Sequence, residues 1–110
     1  MSDAISDAYK AQEEDKIGHA LAKAIVVFLE KPTPENRAEM ENSIEPAIKA
    51  MSSSRQKIEG IISRLEANDP EEWRRFSNWS LLFSFETPDL KERFLKIAEQ
   101  RGIGETKWVL

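Results

Sequence analysis

Lys31-Pro32-Thr33-Pro34-Glu35 contains both a helix stop and a helix start. Pro32 cannot continue a helix arriving from the N-terminal side, and each proline disfavours α geometry in the residue before it. Thr33 then supplies a side-chain acceptor for an orphan amide of a new first turn. Pro34 occupies the first helical position, where its missing N–H loses no bond. The same arrangement recurs at Asp69-Pro70-Glu71-Glu72 and Thr87-Pro88-Asp89. These starts divide the chain into helices, and the acid at Glu72 makes the second one an Asp-headed variant of the capping box.

Outward from the first stop, the N-terminal side predicts one helix over 3–30. Ile17, Leu21, Ala24, Ile25 and Phe28 form its apolar stripe, and Val26, Val27 and Leu29 widen the stripe enough to bury the second half. On the other side, a short helix is expected over 34–42, then a break or kink, and a long helix over 44–67. Ser43 would be the N-cap of that long helix, with Pro46 in its first turn, where the amide is still an orphan. Ile44, Ile48, Met51, Arg55, Ile58, Ile62 and Leu65 then read as a heptad seam packed nearly antiparallel on the first helix. Arg55 is the sole polar member of that seam. It either snorkels to water from the seam's edge or pairs with an acid on a facing helix or partner subunit.

After Asp69, Trp73, Phe76, Trp79 and Phe83 fall within an arc of about 120° on a helix. Arg74 and Arg75 point away from that face. Leu90, Phe94, Ile97 and Ala98 give the last helix its stripe, and Arg101-Gly102 marks its end. The expected fold is an all-α bundle of four long helices and one short one, formed as a single domain over 1–110. In it, residues 1–69 form an acidic aliphatic hairpin, residues 70–102 an aromatic-rich helix pair covering it, and residues 103–110 a tail. Trp108-Val109-Leu110 either docks on the core or anchors a partner.

Charge and aromatics divide along the same line. Residues 1–69 carry 13 acids and 9 bases, whereas 70–110 carry 7 of each, so the net charge of −4 belongs to the first part. Seven of the nine aromatics follow residue 70. There is no cysteine, hence no disulfide and no thiolate metal site. The start Met1-Ser2-Asp3-Ala4-Ile5 lacks an export signal's basic and apolar segments, and the apolar run 20–29 is shorter than the ~20 residues a membrane span needs. A cytoplasmic protein without a membrane segment is expected.

Chemistry-bearing patterns are sparse. His19 is the only histidine and shares a helix face with Asp15, but a zinc or di-iron centre needs more ligands. Glu13-Glu14-Asp15 or Glu35, Glu39 and Glu41 offer carboxylates to magnesium, the basis of a metal-dependent hydrolase alternative. Asp3, Asp7, Glu35, Glu45, Glu71, Glu72 and Asp89, however, fall in expected first turns, where they complement the helix dipole. Lys31, Arg64 and Arg101 fall near helix ends. Ser52-Ser53-Ser54 has no paired base, and Gly18, Gly60, Gly102 and Gly104 form no phosphate loop. Ser54 and Gly60 are read instead as small residues permitting close helix contact.

No cofactor, metal or catalytic residue is expected. Arg74 and Arg75 beside Trp73 form the leading cluster, because arginine and tryptophan are enriched at protein-interface hot spots. A non-enzymatic protein-binding accessory or inhibitory role follows, with Arg74, Arg75 and Trp108 as contact residues and self-association left open. A nucleic-acid regulator using Arg74, Arg75, Lys91, Arg93 and Lys96 is the rival, disfavoured by the acidic balance.

Overall fold

The computed structural model describes residues 2–51, 54–83 and 88–103, with side chains described over 16–50, 54–76 and 89–103. The helices are α1 (Ser2–Glu30), α2 (Pro34–Met51), α3 (Arg55–Glu66), α4 (Pro70–Phe83) and α5 (Pro88–Gln100), and no strand occurs among the described residues. The chain is all-α. At about 1.5 Å per residue, α1 is long enough to set most of the molecule's 51 Å dimension, the others being 30 and 21 Å. It packs most extensively on α2 and also meets α4 and α5, while α3 bridges α2 and α4.

The caps explain where helices begin. The Asn36 amide donates to Thr33 Oγ1 at 3.2 Å, and the Glu71 amide donates to Asp69 Oδ1 at 3.0 Å, as the Thr-Pro and Asp-Pro steps require. Thr87 lies outside the described residues. Two helices end in a left-handed residue. Asn68 (φ 62°) closes α3, with the Asn68 and Asp69 amides donating to the Leu65 and Arg64 carbonyls. Gly102 (φ 78°) closes α5 in the same way, with the Gly102 and Ile103 amides donating to Glu99 and Ala98. These are Schellman closures, and they satisfy carbonyls that a helix end leaves orphaned.

Between 34 and 67 the division differs from the one expected. There is no break at Ser43: α2 runs through it and through Pro46 to Met51, and the Ser43 hydroxyl donates to the Glu39 carbonyl at 2.9 Å instead of capping. Burial accounts for the continuation. Met40, Ile44 and Ala47 are at most 1% exposed. Burying an aliphatic side chain contributes roughly 1.5–3 kcal/mol, which offsets an interior proline costing ~3 kcal/mol. The new helix begins at Arg55, where Ser54 Oγ accepts from the Lys57 amide at 3.1 Å. The heptad seam is therefore shared by two helices, Ile44 and Ile48 on α2, and Ile58, Ile62 and Leu65 on α3.

Leu21, Ala22, Ile25, Val26, Phe28 and Leu29 of α1 join the buried faces of the other helices in one core. Phe94 of α5 lies against both α4 aromatics, 4.9 Å from the Trp73 ring centroid and 4.8 Å from that of Phe76. The helix ends are tied by arginines. Arg93 makes a two-pronged ion pair with Glu30. Arg101 donates to Leu29 O at 3.1 Å and to Leu65 O at 3.5 Å while lying 5.5 Å over the Trp73 ring. One side chain thus joins the C-terminal ends of α1, α3 and α5.

Candidate functional site

The Schellman turn at Asn68 reverses the chain so tightly that the first turn of α4 starts beside the last turn of α3. Asp69 then caps α4, but the capping box expected there is only half formed. The Asp69 amide donates to Arg64 O at 3.0 Å, which leaves no backbone donor at that position for Glu72. Glu72 turns elsewhere. Its side chain is 5% exposed, and its Oε1 accepts from Arg64 Nη1 at 2.9 Å and Arg75 Nη1 at 3.4 Å. Removing a carboxylate from water is costly unless charge-assisted donors replace the water, and these two guanidinium groups do so. Both remain largely in solvent, at 60% and 69% exposure.

Beside this triad a groove of about 440 Å³ runs between α3 and α4. Gly60, the partly exposed Ile61 and the edge of the buried Phe76 line its base, and Lys57, Arg64, Arg75 and Glu72 make its charged rim, with Gln56 at one end. Among the described lining residues three cations face one carboxylate, in a protein whose net charge is −4. Among the described residues the lining holds no hydroxyl, thiol or imidazole, and it offers a surface for apolar and anionic groups. Gly60 is the unusual member. A Cβ at this position would have nothing within 4 Å, so the expectation that Gly60 permits close helix contact is not met. Glycine in a helix interior is less stable than alanine by roughly 0.8–1 kcal/mol, and nothing in the described packing requires it.

Arg74 and Arg75 are both exposed, and Trp73 and Phe76 are buried at 0% and 2% exposure, as the helical projection indicated. Only Arg75 lines the groove. Trp108 and the side chain of Trp79 lie outside the described residues. Sequence reasoning missed Lys57, Gly60, Ile61 and Arg64 as a set. Their spacing was legible, because residues 57, 60, 61 and 64 share one helix face next to the 58, 62, 65 seam.

The other candidates separate. Arg55 is half exposed and bridges Glu45 of α2 and Glu59 of α3, the latter at 3.0 Å. Hydrogen bonds to Glu59 and then Glu45 raise its pKa above the ordinary arginine value. Both readings of Arg55 therefore meet in one side chain. Arg93, from the basic set on the last helix, is engaged by Glu30, whose hydrogen bond raises the guanidinium pKa. His19 is half buried, and the Asp15 side chain lies outside the described residues. Among the described residues no group of three or more His, Cys, Asp or Glu side chains comes together, and no helix is long and apolar enough to cross a membrane. A second cavity of about 290 Å³ between α2 and α3 is flanked by Arg37, which pairs with Glu41 and Glu66, each at 3.4 Å. Comparison with protein-family models, curated proteins and solved structures found no match.

Proposed function

We propose that this chain is a non-enzymatic protein-binding accessory or inhibitory protein that acts by covering a surface of a larger protein partner in the cytoplasm. In this reading residues 1–69 form an acidic aliphatic hairpin layer, residues 70–102 an aromatic pair laid over it, and the outer α3–α4 face meets the partner. The observation that carries it is the groove itself: an unfilled apolar base rimmed by exposed guanidinium groups, the combination typical of interface hot spots. A nucleic-acid reading is weaker because Trp73 and Phe76 have no exposed face on which a base could stack.

Affinity capture from the native host with the parent protein and with an Arg74→Glu/Arg75→Gln variant tests the proposal. Arg75→Gln is preferred to Arg75→Glu because a second carboxylate would stand against buried Glu72. The variant is expected to bind a captured protein at least tenfold more weakly, equivalent to ~1.4 kcal/mol. Retention of nucleic acid with a steep salt dependence, or specific magnesium, manganese or zinc binding by calorimetry, would favour the rivals. Capture of no protein above background would refute the binding role.

A further inference from the structure

We propose that the α3–α4 groove receives an acidic amphipathic helix of another protein, seated directly over Gly60. This rests on the binding role above and specifies its site and partner chemistry. The absent side chain at Gly60 is a cost to α3 that no neighbour among the described residues explains, since a Cβ there would meet none of them within 4 Å. A partner approaching at backbone level does explain it, because Gly60 lines the groove and any side chain longer than a methyl there would project into it.

The rim sets the partner's charge. Lys57 and Arg64 flank Gly60 and stand seven residues apart, about 10.5 Å along the helix axis. Arg75 adds a third cation from α4, and the one carboxylate among the described lining residues, Glu72, is already taken by Arg64 and Arg75. A helix laid along the groove meets both α3 cations when its own acids are also seven residues apart. A bulky apolar residue three or four positions after the first acid then falls over Gly60. The recognised pattern is acid, apolar, acid at i, i+3 or i+4, and i+7.

Two substitutions separate binding from folding. Gly60→Leu fills the base with a good helix former in open space. Lys57→Glu reverses the rim and places an acid three residues after the N-cap Ser54, completing a capping box. Both are expected to preserve or raise the melting temperature of the full chain.

The probe is a displayed library of 14-residue helical peptides, randomised among acidic, basic and apolar residues. Selection on the parent protein should enrich the acid–apolar–acid pattern. By fluorescence anisotropy, enriched peptides should bind at least tenfold more weakly to Gly60→Leu and to Lys57→Glu. Enrichment of basic peptides, no enrichment, or unchanged binding to Gly60→Leu overturns the proposal. A concentration-dependent dimer of the parent in sedimentation, lost in Gly60→Leu, would make the occupant a second copy and also overturn it. A native partner that Gly60→Leu still binds would remove the groove assignment and leave the binding role standing.

Discussion

Pro46→Ala should stabilise the protein, and the amount follows from where α2 carries the proline. Pro46 lies inside the helix Pro34–Met51, on its exposed side, between Ile44 at 1% and Ala47 at 0% exposure. An alanine amide there gains a bond to the Asn42 carbonyl and removes the ring's clash with it, a recovery of up to ~3 kcal/mol. Against this, alanine frees the unfolded chain, which offsets roughly 0.4–1 kcal/mol. Local bending around Pro46 relieves part of the clash, so the expected net gain is about 1–2 kcal/mol. For a chain of this size that corresponds to a melting-temperature rise of roughly 4–8 °C. Thermal unfolding followed by far-ultraviolet circular dichroism measures it, with urea unfolding as the check that the slope m is unchanged. A lower melting temperature would mean that α2 does not run through Pro46 and that a helix start lies there instead.

Leu21→Ala or Ile58→Ala should cost about 2–5 kcal/mol by urea unfolding, since both side chains are buried among aliphatic neighbours; a change under ~0.5 kcal/mol at both would place them at the surface. Arg101→Ala should cost about 1–3 kcal/mol, because the Leu29 and Leu65 carbonyls lose a charged donor and Trp73 loses its cation. A neutral result would remove Arg101 as the tie between helix ends. The Arg93–Glu30 pair raises the arginine's pKa, so its stabilising contribution is complete below the unfolded value and is lost only as pH climbs through the higher folded one. The melting-temperature difference between the parent and Arg93→Gln should therefore stay constant from about pH 7 to pH 10, and a difference that shrinks over that interval would contradict the assignment.

Local signals were legible wherever a short-range acceptor decides the backbone. Thr33, Asp69 and Gly102 act within three residues of themselves, so their roles can be read from the chain alone. Ser43 and Pro46 could not be read that way. Whether α2 ends at 42 depends on the burial of Ile44 and Ala47 in the core, a gain that no local pattern contains. The groove shows the same limit from the other side. Lys57, Gly60 and Arg64 share a helix face in the sequence, but that face becomes a rim only because the Asn68 turn sets α4 beside α3 and draws Glu72 away from its capping role. A residue that looked like half of a local capping box became the buried anion holding two arginines at the groove's edge. With the Asp69 amide already bonded to Arg64 O, Glu72 takes one guanidinium from its own helix, Arg75, and one across the turn from α3, Arg64, and charge-assisted bonding from both decides the outcome. The same choice leaves a basic rim on an acidic protein.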